Sequence, residues 1–283
     1  MDDAARRAVE ALVGAAVRSA SVCSGGFTAA RCWVIVLDDG RSLFAKFAGD
    51  DESISANLVE AAVLASLDTS HSPSLVAAAE DGTLMLTDDL SNADWTPASG
   101  DLAGLWIALD ALGEGAGPES LAIGPQGAGR DPWTKVLADP RFADAIDVPR
   151  DWLDEHGSTW SAAARLADTT GDRLVHGDPG PGNWCRSSDG TWLLVDWASA
   201  SRGSPLFDHT LASLRLTRLR AEPVCSPRLV GHPEFAALVA GWMAAELLDV
   251  DWSDAPPGAR ADRVADIRAG MALTAHLLGH SSY

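Results

Sequence analysis

The stretch that decides the reading is His176-Gly177-Asp178-Pro179-Gly180-Pro181-Gly182-Asn183, with Asp196-Trp197 beginning thirteen residues after the Asn. Asp178 lies five residues before Asn183, in a run of glycines and prolines that favours a loop over helix or strand. Beyond it, Asn183-Trp184-Cys185, Asp189-Gly190 and Trp192-Leu193-Leu194-Val195 spell a short hairpin. The Asp-Gly pair supplies the positive-φ residue that a tight turn needs. A chain folded back there brings Asn183 and Asp196 together at the open end of the hairpin. One amide oxygen and one carboxylate make a hard-oxygen pair suited to Mg²⁺, which keeps its remaining positions for water and phosphate. Asp178, on the loop feeding the hairpin, is placed to face a substrate hydroxyl beside such a metal. Phosphoryl transfer needs these parts, a metal for the phosphate charge and a carboxylate for the incoming hydroxyl.

Upstream, Ser24-Gly25-Gly26-Phe27-Thr28 reads as a glycine-bearing turn. Cys32–Leu37 and Arg41–Phe47 read as two strands joined by a turn at Asp39-Gly40. Lys46 lies on the second strand, and Glu60 follows fourteen residues later on a helix predicted over 53–67 from Ile54, Leu58, Ala61, Ala62 and Leu64. A lysine held by a helix glutamate reaches nucleotide phosphates, and the backbone amides of Ser24, Gly25 and Gly26 are placed to cover them. The plain alternatives are a solvated strand-end lysine and a surface glutamate. Only two lysines occur, Lys46 and Lys135, so one at this position carries weight.

The rest of the chain frames these motifs. Residues 3–20 read as an amphipathic helix and Leu84-Met85-Leu86 as a short strand. A polar, turn-rich stretch over 92–100 puts the lobe boundary near residue 90. Helices are expected over about 101–113, 132–140, 148–168, 205–220, 232–247 and 259–279.

Composition excludes several classes. At 283 residues the chain has room for one large domain or two lobes around a sizeable core. Its longest apolar runs stay far below the 18 or so residues of a membrane span. Asp2, Asp3 and Glu10 are unlike a secretory signal, so a cytoplasmic location is expected. The net charge of −19 argues against a nucleic-acid partner. The acidic excess suits a cationic ligand or plain solubility. With 14 acids against 6 bases over 1–90, and 26 against 15 over 91–283, it is too diffuse to mark a pocket. Cys23, Cys32, Cys185 and Cys225 show neither zinc spacing nor a disulfide framework.

Taken together, these motifs resemble the aminoglycoside phosphotransferase family, protein-kinase-like enzymes that phosphorylate small molecules. His176-Gly177-Asp178 with Asn183 is similar to that family's catalytic loop, and Asp196-Trp197 to its metal-binding pair. Gly203-Ser204-Pro205-Leu206-Phe207-Asp208 resembles the segment whose last Asp braces the catalytic loop. Leu84-Met85-Leu86-Thr87-Asp88-Asp89-Leu90 resembles its hinge, and Lys46 and Glu60 match its lysine and helix-glutamate positions. The likeness runs from about residue 20 to 215. Ser204 stands where the family has an Asp, the glycine turn is not a G-x-G-x-x-G, and Trp184 replaces an aliphatic residue.

The resemblance implies an α+β, two-lobed kinase-like fold, with a small antiparallel β N-lobe over 1–90 and a larger helical C-lobe over 91–283. It implies ATP or GTP as co-substrate with Mg²⁺ on Asn183 and Asp196, backbone groups of Thr87, Asp88 and Asp89 on the base, and Asp178 as the catalytic carboxylate. The acceptor is a small-molecule hydroxyl, with an antibiotic of aminoglycoside type as the default and a peptide or nucleoside antibiotic also open. The protein is expected to act as a monomer or homodimer without nucleic-acid or membrane partners. The alternatives are a metabolite kinase for a sugar or amino alcohol, and a weakly catalytic binding protein.

Four further features have both plain and functional readings. His276 and His280 share a helix face but lack a third metal ligand. Trp133, Trp152 and Trp252 lie beside acids and suit either the core or stacking on a sugar. Glu246, Asp249, Asp251 and Asp254 form an acidic cluster suited to ammonium groups or to a solvated loop. Arg202, Arg215, Arg218 and Arg220 add positive charge after the metal motif.

Overall fold

The structure is a computed structural model describing residues 1–23, 29–67, 71–96, 102–124, 131–253 and 255–280. In chain order the elements are α1 (Asp3–Val13), β1 (Val17–Val22), β2 (Arg31–Leu37), β3 (Ser42–Phe47), α2 (Asp51–Ser66), β4 (Leu75–Ala78), β5 (Leu84–Asp88) and α3 (Ala103–Glu114). Then come α4 (Pro132–Ala138), α5 (Arg141–Ile146), α6 (Arg150–Ala164), β6 (Arg173–Val175), β7 (Trp184–Arg186) and β8 (Trp192–Leu194). β9 (Ser201–Gly203), α7 (Leu206–Arg220), α8 (Pro233–Asp249) and α9 (Ala259–Leu278) complete the chain. The fold is α+β, with one five-stranded antiparallel sheet and most of the helix in the second half.

Two compact units divide it, one of residues 1–121 with 181–201, the other of 122–180 with 202–283. These limits fall elsewhere than the boundary expected near residue 90, because α3 and the β7–β8 hairpin pack within the first unit.

The first unit is built on the sheet, in the order β1-β2-β3-β5-β4. Alternation along β3 buries Leu43, Ala45 and Phe47 in the core and turns Ser42, Phe44 and Lys46 to the other face. The helix expected over 3–20 is corrected here. α1 ends at Val13 because Gly14 adopts φ 68° as its C-cap, and residues from Val17 pair with β2 as an edge strand. α2 opens with a capping box in which Asp50 and Ser53 bond each other's backbone. Its buried stripe differs from the expected apolar one. Ser53, Asn57, Glu60, Val63 and Leu64 turn inward while Leu58 is exposed. Polar residues take this face because partners await them there. Asn57 Nδ2, for one, donates to the Gly82 carbonyl at 3.0 Å.

The second unit is mainly helical around a large core. Trp133, Trp160, Phe142 and Phe207 are essentially fully buried, with Trp133 and Trp160 ring centroids 5.1 Å apart. Each such tryptophan removes about 200 Å² from water, worth on the order of 5 kcal/mol before entropy is counted. α8 is apolar on nearly every side and sits at the centre of this unit. Gly241 lets it close on α4, since a Cβ there would lie 2.6 Å from Trp133 Nε1. β6 and β9 form a small two-stranded sheet.

Candidate active site

Lys46 lies on β3, opposite Cys32 of β2 and Met85 of β5. Its Nζ is 2.8 Å from Glu60 Oε2 and 2.9 Å from Asp196 Oδ1. Glu60 and Lys46 are nearly buried (6% and 11% side-chain exposure), while Asp196 is about half exposed at 48%. Burial disfavours the Lys46 ammonium, but the charges and hydrogen bonds of Glu60 and Asp196 outweigh it and raise its pKa above the usual lysine value. Burial pushes the pKa of the neighbouring Cys32 thiol up to about 11, the Lys46 charge countering it only in part.

The hairpin places Asn183 and Asp196 as the sequence suggested. β7 and β8 pair in the register Trp184–Leu194, Cys185–Leu193 and Arg186–Trp192. The pairing extends one step further, the Val195 N–H donating to the Asn183 carbonyl at 2.9 Å. Asp196 therefore follows directly on the partner of Asn183. It adopts φ 62°, a left-handed conformation that Asp tolerates better than most residues. The short 3-10 turn Trp197–Ser199 then packs on α2, with Trp197 fully buried as its anchor. Asp196 Oδ2 has no protein hydrogen bond among the described residues. An exposed carboxylate oxygen, with an asparagine one ladder step away along the backbone, is chemistry that fits Mg²⁺.

In the segment expected to form the hinge, Thr87 is buried and pairs with Phe44 and Leu75, and Asp88 pairs with Leu43. The Asp88 carboxylate accepts from the Ser74 N–H at 2.9 Å. Asp89 accepts from Ser42 Oγ at 2.7 Å and from the Ser91 N–H at 2.8 Å. These side chains secure the turn, and Asp89 is the first residue past the paired strand. Ser24, Gly25 and Gly26, expected to cover phosphates, lie outside the described residues.

In the second unit, β6 runs into the loop at His176-Gly177-Asp178. Gly177 has φ 84°, which a residue with a side chain would adopt only under strain. Asp208, in the first turn of α7, accepts the backbone N–H of His176 at 2.6 Å and of Gly177 at 2.9 Å. It is thus the brace the resemblance implied. Its burial, partly countered by nearby His176 and these hydrogen bonds, leaves its pKa raised. His176 is buried, and its Nδ1 accepts from the Asp178 N–H at 3.3 Å, so it shapes the loop from beneath. The Asp178 side chain is 48% exposed, with Oδ1 3.4 Å from Arg215 Nη2.

Arg215 is the neighbour that sequence reasoning treated only as surplus positive charge. In an arginine-rich chain nothing local singles it out. The acidic cluster is already partnered. Glu246 pairs with Arg263 at 3.0 Å, Asp249 with Lys135, and Asp251 caps the Ser253 N–H at 3.0 Å. Asp254 is outside the described residues. Trp133 is core, and Trp252 donates to the Leu247 carbonyl at 3.2 Å, so Trp133 cannot stack on a sugar. His280 stacks on His156 at 4.6 Å.

No protein-family model and no curated protein sequence matches the chain. Solved structures do. A choline/ethanolamine kinase family protein from Mesorhizobium loti aligns with a TM-score of 0.59 at 19% identity, over 98% of this chain and 97% of that one. Choline kinase LicA from Streptococcus pneumoniae aligns at 0.57 and 14% identity, over 95% and 98%. A thermostable mutant of the aminoglycoside phosphotransferase APH(4)-Ia, solved with ADP and hygromycin B, aligns at 0.52 and 18% identity, over 94% and 98%. Along essentially its whole length, the chain has the kinase-like fold that these small-molecule phosphotransferases share.

Proposed function

We propose that the protein transfers the γ-phosphoryl group of ATP or GTP to a hydroxyl of a small molecule. The observation that carries this reading is the cluster in which Lys46 is held by Glu60 at 2.8 Å and by Asp196 at 2.9 Å, with Asn183 one ladder step from Asp196. A cation fixed by a buried carboxylate, close along the fold to a further carboxylate and an asparagine, suits triphosphate oxygens. Lys46 binds the phosphates, and Glu60 keeps it extended toward them. Asn183 and Asp196 would hold Mg²⁺, which when bound supplies neutralisation of the phosphate charge. The segment Thr87–Asp89 is assigned the base, through its backbone, and the glycine-bearing sequence Ser24-Gly25-Gly26 remains the candidate for the phosphates. Asp178 accepts the hydrogen bond of the incoming hydroxyl and orients its lone pair for attack. Nucleotide binding is assigned to residues 1–90 and the catalytic loop and acceptor to residues 91–283.

The acceptor is proposed to be an antibiotic, as the hygromycin B complex of a protein with this fold suggests. A small amino alcohol is the second reading, favoured by the choline kinase likeness and by an acidic cluster already engaged with Arg263 and Lys135. The test is consumption of ATP and GTP, each with Mg²⁺, against aminoglycoside, peptide and nucleoside antibiotics, sugars and amino alcohols. Turnover that depends on one acceptor and disappears in Asp178→Ala establishes the activity and names the acceptor. Nucleotide binding without turnover on any acceptor leaves a binding protein. Absence of nucleotide binding removes the reading altogether.

A further inference from the structure

Within the second unit a row of charges of alternating sign runs from α9 to the loop carrying Asp178. Asp262 pairs with Arg218, Arg218 Nη1 lies 3.1 Å from Asp266 Oδ1, and Asp266 Oδ2 pairs with Arg215 Nη1. The other arm of the Arg215 fork, Nη2, reaches Asp178 Oδ1 at 3.4 Å. Asp266 is almost fully buried, at 3% side-chain exposure, and Arg215 is at 21%. A buried carboxylate strongly requires its cation, so Asp266 fixes Arg215 in place. The arginine stem also passes near the loop, since a Cβ placed at Gly180 would sit 3.6 Å from its Cγ and its Nε. One side chain thus reaches the carboxylate at the head of the loop and runs past the residue two positions on. At 3.4 Å the contact with Asp178 is an electrostatic hold more than a short hydrogen bond. A planar fork pinned at one end sets direction as well as attraction, which a lysine would not do.

We propose that Arg215, fixed by Asp266, is a positioning residue for the phosphoryl-transfer reaction, holding the Asp178 carboxylate in the orientation that receives the acceptor hydroxyl. The inference rests on the phosphotransferase reading above and adds to it the part played by α7 and α9. Misplacing a reacting group by about 1 Å costs roughly 10²-fold in rate.

The test uses the full chain and two readouts. In protein labelled with ¹³C-aspartate, the Asp178 carboxylate signal is assigned by its loss in Asp178→Asn, with no substrate present. In steady-state assays, kcat and KM are measured with whichever acceptor the panel identifies, or with water as acceptor if only nucleotide hydrolysis is found. Arg215→Gln is expected to move the Asp178 signal and to lower kcat about 10²-fold, with the nucleotide KM within twofold. Arg215→Lys restores the charge without the fork and is expected to recover only part of the loss. Because Arg215→Gln leaves the buried Asp266 carboxylate with Arg218 alone, the double variant Arg215→Met with Asp266→Asn repeats the measurement with that buried charge removed and Arg218 still paired with Asp262. It is expected to fold and to show the same loss of kcat.

An unmoved Asp178 signal, or a kcat in the folded variants within twofold of wild type, overturns the proposal and leaves the phosphotransferase reading standing. A wild-type protein that turns over neither nucleotide with any acceptor or with water overturns both. The NMR readout then still reports whether the contact exists.

Discussion

Replacing Asp208 tests how the catalytic loop is held. The Asp208 carboxylate accepts two backbone N–H groups, from His176 at 2.6 Å and Gly177 at 2.9 Å, in a buried setting. Asp208→Ala leaves both donors without their acceptor. A buried unsatisfied donor costs about 1–3 kcal/mol, so the pair costs about 4 kcal/mol. Removing a carboxylate whose own ionisation is disfavoured by burial offsets part of that. The expected net loss is about 3 kcal/mol, or a fall in Tm of about 6–12 °C for a chain of this size. Asp208→Asn keeps one acceptor oxygen and is expected to lose about half as much.

The pH dependence adds a sign. Asp208 has a raised folded-state pKa, so its contribution is fully present below the unfolded carboxyl value near 4 and declines as pH rises through the folded value. The stability advantage of wild type over Asp208→Asn is therefore largest near pH 4 and narrows toward neutrality. Scanning calorimetry of the three proteins between about pH 4 and 8 reads both effects. An Asp208→Ala protein melting within a degree of wild type, or an advantage that grows with pH, would refute the bracing argument.

The remaining expectations concern the first unit and the helical core. Glu60→Ala removes one of two anions from nearly buried Lys46 and is expected to cost about 3 kcal/mol in urea unfolding; Glu60→Gln keeps an acceptor and is expected to cost about 1 kcal/mol. Calorimetric titration with nucleotide should show weaker binding in the same order. Asp189 at the hairpin turn is held by the Ser187 hydroxyl and the Thr191 N–H, which lower its pKa to about 2. A depressed carboxylate stabilises above its unfolded value near 4 and loses that contribution as pH falls, so the Tm gap between wild type and Asp189→Ala should hold above pH 5 and close toward pH 2. Gly241→Ala drives a Cβ to 2.6 Å from Trp133 Nε1 and 2.8 Å from Pro132 Cγ, and is expected to cost about 1–3 kcal/mol, read as a lower urea midpoint at unchanged slope.

What could be read in the sequence was what the chain settles locally. The β7–β8 hairpin follows from Asp189-Gly190 and the apolar run after it, and the juxtaposition of Asn183 with Asp196 follows from the hairpin. β2, β3 and the placement of Lys46 follow in the same way from the turn at Asp39-Gly40 and from alternation along each strand. The end of α1 at Gly14 was missed because the apolar spacing of the helix continues into Val17, where pairing with β2 takes over. The inward turn of Glu60 toward Lys46 was expected, but that of Ser53 and Asn57 was not, because spacing ranks residues by polarity. Asn57 turns inward because the Gly82 carbonyl, outside the helix, meets it there.

The row of charges from Asp262 to Asp178 was equally unreadable, since its members are scattered over 89 sequence positions. The sequence by itself therefore determined the turns, the strands and the identity of the chemical groups, because those depend on neighbours along the chain. Tertiary structure decided which charges are buried and what holds them, because a charge leaves water only where the fold supplies its partner.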